Sequence, residues 1–260
     1  MVGVEARKRM SYRVDFWLNA LVGFVTELGV AYFIVLAMFD GAERVGGFSR
    51  DGMLLYYVTV ILFARVVRSS DMEWAIADDI YQGALSRYLL YPAPYGVLKY
   101  ATQIGALIPI AVQSVLFAVW VPFVLGVPEG LGVTPATALM AAGALVVANG
   151  LHFMVTLPIQ LVAFWADNCW SLLVAHRIVA FLLGGIMLPL TLFPAWAQPV
   201  LSALPFKYMF AFPVEALLGR VAPLEYATGI AIGLGWCGLS ASVAAAVWRR
   251  GTLQYTGVGM

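Results

Sequence analysis

Five stretches of this chain are each long and apolar enough to cross a lipid bilayer, which leaves little freedom in how it can fold. A spanning helix needs about 20 mostly apolar residues. Leu18–Phe39, Val97–Leu125, Pro135–Phe164, Trp170–Phe193 and Leu224–Trp248 meet that need. A sixth stretch, 53–69, is shorter in its apolar part, Met53–Val67, and holds Arg65. It spans if Arg65 and Arg68 snorkel to the interface, as long basic side chains do. Only 11% of the 260 residues are charged and 62% are hydrophobic. Soluble domains average about 25% charged and roughly 45–50% apolar, because a chain of this length must cover a large surface with polar groups. The ~10-residue alternating segments of a β-barrel are missing. The expectation is an all-α integral membrane protein, one transmembrane domain over residues 1–260 with six transmembrane helices.

Lys and Arg set the orientation. With both termini inside, Arg7, Lys8, Arg9, Arg13, Arg65, Arg68, Arg87, Lys99, Arg177, Arg249 and Arg250 fall on the inner side. Arg44, Arg50, Lys207 and Arg220 fall outside. Eleven against four agrees with the positive-inside rule. The formal net charge of +1 suggests no nucleic-acid partner. The first apolar stretch is too long for a cleaved signal, and no small-residue cleavage site follows it. Cys169 and Cys237 are the only cysteines; one lies near a helix end and the other inside the last helix, a poor pair for a disulfide. Without histidines at ligand spacing they form no zinc site.

Residues 1–17 carry Met10, Val14 and Trp17 on one helical face, with Arg7, Lys8, Arg9 and Arg13 beside them. That pattern fits an interfacial amphipathic helix, and equally a basic flank that only orients helix 1. Glu27 lies near the middle of helix 1, where a carboxylate must be paired, protonated or facing water. It lines a path or subunit interface, or it is a protonated group bonded to a neighbouring helix. Residues 40–52 form a short outer loop, and a tight outer turn is expected around Val127–Thr134. Pro109, Pro122, Pro158 and Pro189 introduce kinks that neighbouring helices can satisfy. Gly229 and Gly233 form a small-xxx-small pair. Residues 194–223 are too apolar for an outer loop and too broken by Pro199, Pro205 and Pro213 to span. Re-entrant or interfacial helices fit, with Trp196, Phe206, Tyr208, Phe210 and Phe212 at headgroup depth.

The one long polar block is 69–95. Ser70 and Glu73 fit a capping box that starts a helix at about Asp71. Met72, Ile76 and Ile80 form an apolar stripe, Asp71, Asp78 and Asp79 lie off it, and Gly83 is a C-terminal stop. A second apolar run, Leu85–Tyr91, ends at Pro92 and Pro94. The helix signature with its own apolar face predicts a docking element rather than a solvated connector.

These residues carry a resemblance. Ala77-Asp78-Asp79-Ile80, then Gly83-Ala84-Leu85-Ser86-Arg87-Tyr88-Leu89-Leu90 and Pro92 resemble the cytoplasmic loop of ABC-2 type permeases. Leu204-Pro205-Phe206 and Phe212-Pro213-Val214, with Leu217-Leu218-Gly219, are similar to that family's segment before its last helix. The resemblance implies the membrane half of an exporter in a bacterial cytoplasmic membrane, moving a lipid-like, glycan or drug-like substrate. It implies an N-terminal interfacial helix, a coupling loop over 70–95 and re-entrant helices in 194–223. It also implies two ATPase subunits and a second permease, identical or distinct. Asp71, Glu73, Ile76, Asp78, Asp79, Ile80, Gly83 and Arg87 would then serve ATPase coupling, with a second contact at Asp167–Arg177. Glu27, Phe206, Tyr208 and Phe212 would line a path or interface. No cofactor is implied on this chain; ATP and Mg belong to the partner.

No G-x-x-x-x-G-K-[ST] occurs in the sequence, so ATP phosphates are not cradled by a P-loop here. His152 and His176 lie in no metal-ligand spacing, and Asp78 and Asp79 are adjacent, so they point in different directions on a helix. No enzyme chemistry is therefore expected. An ion-coupled secondary transporter would show more buried charge than Glu27 or an internal repeat. A non-transporting membrane subunit is the other alternative.

Overall fold

The structure is a computed structural model, and it describes residues 13–68, 73–125 and 133–255. Most of the expected interfacial helix, Asp71, and the turn before Val133 lie outside the described residues. The described chain is helical, with no strands. The elements are α1 (Arg13–Met38), α2 (Arg50–Arg68), α3 (Ala75–Tyr81), α4 (Leu85–Tyr88), α5 (Tyr95–Leu125) and α6 (Pro135–Leu161). They continue with α7 (Trp170–Leu183), α8 (Gln198–Ala203), α9 (Pro205–Met209), α10 (Ala211–Leu217) and α11 (Pro223–Gly251). Short 3₁₀ turns occupy Val162–Phe164 and Leu190–Leu192.

Among the described residues, four helices are long and apolar enough to cross a membrane: Asp15–Met38, Tyr95–Val121, Pro135–Phe164 and Pro223–Gly251. Two expected spans differ. The helix expected over Trp170–Phe193 stops at Leu183 after 14 residues. Gly185 there takes φ 84°, a left-handed conformation that glycine adopts without steric cost. The freed Gly184 carbonyl accepts from the Ala211 N–H at 3.0 Å, so the break is fastened to α10. The other, α2, is 19 residues long but carries Arg50, Asp51, Arg65 and Arg68.

α2 is nonetheless the most enclosed long helix. Ten of its residues are buried, Met53, the run Tyr56–Leu62, Ala64 and Val67, so its neighbours are protein side chains on most sides. Its polar groups fasten the broken end of α7. The Tyr56 hydroxyl donates to the Gly185 carbonyl and the Tyr57 hydroxyl to the Met187 carbonyl, both at 2.8 Å. At its far end the helix has orphan carbonyls. The Asn149 amide of α6 donates to those of Val66 and Val67 at 3.2 and 3.1 Å. α1 closes on the other side, where Phe24 stacks on Phe117 of α5 at 4.8 Å.

α6 and α11 form the tightest long pair. Small residues let helices approach closely, and here the approach is measurable. A Cβ on Gly233 would lie 3.0 Å from Val147 of α6, and on the neighbouring face one on Gly229 would lie 2.4 Å from the Phe212 ring of α10. The Tyr226 hydroxyl donates to the Met140 carbonyl at 2.8 Å. Thr134 and Thr137 form a reciprocal capping box that starts α6.

Residues 194–223 fold as α8, α9 and α10, but their aromatics are not at an exposed rim. Tyr208, Phe210 and Phe212 are buried, Phe206 is half-buried, and Trp196 alone stands out at 79% exposure. The reason is packing. Phe212 fills the space Gly229 leaves, and Phe210 reaches inward to His152 at 6.3 Å and lies under the Arg68 guanidinium at 5.5 Å. The Trp236 indole N–H donates to the Ala203 carbonyl at 3.0 Å, which fixes the inner turn of the segment to α11.

Candidate functional site

The loop between α2 and α5 is a built platform. Its described helix starts at Ala75, with Trp74 as an N-cap that supplies no side-chain acceptor; the expected start at Asp71 lies outside the described residues. The Ile76 N–H instead donates to the Gln160 side chain of α6 at 3.1 Å, so a neighbouring helix satisfies one of the orphan donors of the first turn. Gly83 follows the helix at φ 69°, and its N–H returns to the Ile80 carbonyl. The expected docking stripe is spent on the chain itself. Ile76 and Ile80 are 1% and 2% exposed and pack with Ala77 and Leu85 against Leu157, Leu161 and Phe164.

Polar residues of the same loop tie it to the long helices. Ser70, the expected capping partner of Glu73, lies outside the described residues. The Glu73 carboxylate pairs with Arg177 of α7 at 2.5 Å and faces His152 of α6 at 3.7 Å. Asp79 pairs with Lys99 of α5 at 2.5 Å and accepts from the Tyr95 hydroxyl at 2.7 Å. Lys99 lies 4.7 Å over the Tyr88 ring and donates to the Ala75 carbonyl. Tyr95 in turn stacks on Trp248 of α11 at 5.2 Å. The loop therefore touches α5, α6 and α7 at once, and Tyr95 at the start of α5 carries the contact on to α11. Its free surface is Asp78, Gln82, Arg87 and the run Leu89–Tyr91, all exposed, with Leu90 at 86%.

Residues 25–259 match the family described as ABC-2 family transporter protein. The chain belongs to the ABC-2 transporter family. No curated protein and no solved structure matches it significantly. It is a multi-pass membrane protein of ABC transport.

Two cavities complete the geometry of this ABC-2 chain. One, of about 740 Å³, lies against α2 and is bordered by α1, α5 and α7. It holds Glu27 together with Arg65, Arg68, Glu73 and Arg177. Glu27 thus faces basic groups that the sequence reading had not brought to it. The second, of about 670 Å³, is bounded by Phe48, Tyr56, Lys207, Tyr208, Phe212, Glu215 and Arg220. Lys207 and Glu215 pair there at 3.7 Å, and Arg220 lies 3.6 Å over the Phe48 ring. Burial pushes the Glu215 carboxyl above its ordinary value of 4.5, and Lys207 and Arg220 pull it partly back.

Of the expected site residues, Glu73 and Asp79 are brought into ion pairs inside the chain, Ile76 and Ile80 into its core, and Asp78 and Arg87 to the surface. Tyr208 and Phe212 border the second cavity and Phe206 packs on His176 at 5.9 Å. Gln160, His152, Lys99 and Tyr95 escaped the sequence reading. A buried glutamine near the end of an apolar helix and a lysine opening the next span were the available signals.

Proposed function

We propose that this ABC-2 chain is the permease subunit of an ATP-driven exporter in a bacterial cytoplasmic membrane, with both termini inside. Six spans are completed by α2 and α7. α2 has a length of about 28 Å at 1.5 Å per residue, close to the hydrocarbon thickness, and its Arg65 and Arg68 are half-buried in protein. Residues 1–17 form the interfacial helix, α8–α10 the re-entrant segment and 70–95 the coupling loop. Two ATPase subunits hold ATP and Mg, and a second permease, identical or distinct, completes the assembly. The cargo class is lipid-like, glycan or drug-like.

The observation that carries this reading is the anchoring of the 73–94 loop to three long helices, Glu73 to α7, Ile76 to Gln160 of α6 and Asp79 to Lys99 and Tyr95 of α5. A loop held at so many points moves as a body with those helices. Closure of a docked ATPase dimer would then shift the spans between inward- and outward-facing arrangements. The ATPase contact is the free surface of the loop, Asp78, Arg87 and Leu89–Tyr91. The test is co-expression with a candidate P-loop ATPase, sought first in the neighbouring reading frames. Asp78→Lys and Arg87→Glu should lose ATPase co-purification while the permease keeps its melting temperature. Unchanged co-purification and transport with both substitutions would sink this assignment.

A further inference from the structure

The cavity beside α2 has two unlike ends. Along α2 it runs from Tyr57 to Arg68, about 16 Å at 1.5 Å per residue. Arg65 and Arg68 mark one end, with Glu27 opposite them on α1; Ile34, Tyr57 and Met187 mark the other. At the charged end the ions are not matched. Three arginines, Arg65, Arg68 and Arg177, share it with two carboxylates, Glu27 and Glu73; Glu73 pairs with Arg177 and also lies near Arg68. Arg65 and Arg68 share one helix face at i, i+3, where like charges repel. Among the described residues neither pairs with a carboxylate. They lie instead over the rings of Phe117, at 5.9 Å, and Phe210, at 5.5 Å. An arginine at membrane depth is costly without a partner, and its planar fork suits phosphate or carboxylate oxygens. The volume of about 740 Å³ falls within the usual range for ligand sites, roughly 300–1,000 Å³.

We infer that this cavity binds an amphiphile with an anionic head, the head held between Arg65 and Arg68 and the tail lying along α2 toward Tyr57 and Met187. Glu27 stands opposite as the competing anion, which keeps the site from holding its ligand too tightly to release it. This names a cargo class for the exporter proposed above and rests on that reading only for transport; binding needs no ATPase.

The test is equilibrium binding to the purified full chain in an uncharged maltoside detergent, with no ATPase present. The probes are lysophosphatidic acid, lysophosphatidylcholine with the same tail, and inorganic phosphate. Lysophosphatidic acid should bind at least about tenfold more tightly than either control, as expected when a charged head finds paired guanidiniums. Arg65→Gln with Arg68→Gln should abolish that preference, and Glu27→Gln should strengthen lysophosphatidic acid binding. The last variant keeps the fold readable should the double glutamine variant fail to fold, and Arg65→Lys with Arg68→Lys should retain part of the preference. Equal binding of the two lysolipids would overturn the anionic head. Phosphate binding as tightly as lysophosphatidic acid would overturn the tail. Unchanged or weaker binding by Glu27→Gln would overturn the placement of the head. A chain that binds as described yet recruits no ATPase would defeat the exporter reading and leave this inference standing.

Discussion

Glu73 and Arg177, 104 residues apart in sequence, meet at 2.5 Å and join the α2–α5 loop to α7. The two ends of this pair live in different surroundings. The Glu73 side chain is 10% exposed and that of Arg177 is 48% exposed. Removing Glu73 leaves an arginine that water can solvate. Removing Arg177 leaves a buried carboxylate without an ion pair, with His152 at 3.7 Å and Arg68 and His176 nearby. Breaking a buried pair from the side that strands the buried charge is the more costly choice.

The expected outcome is an asymmetric double-mutant cycle. Arg177→Gln should lower stability by about 1–3 kcal/mol, the penalty for an unsatisfied buried group. Glu73→Gln should cost less, and the double variant should resemble Glu73→Gln rather than the sum. Thermal unfolding of the detergent-solubilised chain reads all three. Equal costs for the two single variants would show that the pair is solvated at both ends.

Asp78 and Asp79 are neighbours that should behave differently. Asp78 is exposed on α3, whereas Asp79 holds Lys99 and the Tyr95 hydroxyl. Asp79→Asn strands Lys99, whose side chain is 7% exposed, and should destabilise the chain by about 1–3 kcal/mol. Asp78→Lys should leave the melting temperature within the spread of surface changes, about ±0.5 kcal/mol. A matching loss for both would place Asp78 inside the fold.

Gly229 and Gly235 lie on the same helix but not in the same space. A Cβ on Gly229 meets the Phe212 ring at 2.4 Å, while one on Gly235 meets nothing within 4 Å. Gly229→Ala should push α11 off α10 and cost about 1–3 kcal/mol, as overpacking does. Gly235→Ala should be neutral or stabilising by up to ~1 kcal/mol through helix propensity. Melting temperatures of the two variants check the contrast.

The four long apolar helices were legible in the sequence because lipid contact demands an uninterrupted apolar run. α7 ends earlier than its apolar run suggests: Leu183–Phe193 holds the stop signals Gly184, Gly185 and Pro189, and the Tyr56 and Tyr57 hydroxyls fasten the break. Those partners come from about 130 residues away and leave no local pattern. The loop helix was legible from Ile76, Ile80 and Gly83, but its orientation was not. An apolar stripe shows that something covers it, and Leu157 and Phe164 of the same chain cover it as well as a partner would. The relation of Glu27 to Arg65 and Arg68 depends on how α1 leans on α2, which no spacing within either helix encodes.

The second cavity should give the chain a pH-dependent stability through Glu215. Burial raises its carboxyl, and Lys207 and Arg220 lower it in part. Glu225, Tyr56 and Tyr208 are the other titratable groups around it. Because the folded value lies above the unfolded value of about 4.5, the folded chain keeps this proton to higher pH than the unfolded chain does. Stability from this group is therefore fully present below about 4.5 and is lost as pH rises through the folded value. Glu215→Gln mimics the protonated form at every pH. The difference in melting temperature between this variant and the natural chain should be small below pH 4.5 and should grow in the variant's favour as pH rises. Subtracting the two curves cancels the titration of the other carboxylates. A difference that is flat with pH would mean that Lys207 and Arg220 fully offset the burial of the carboxylate, and one that turns against the variant as pH rises would mean that they outweigh it.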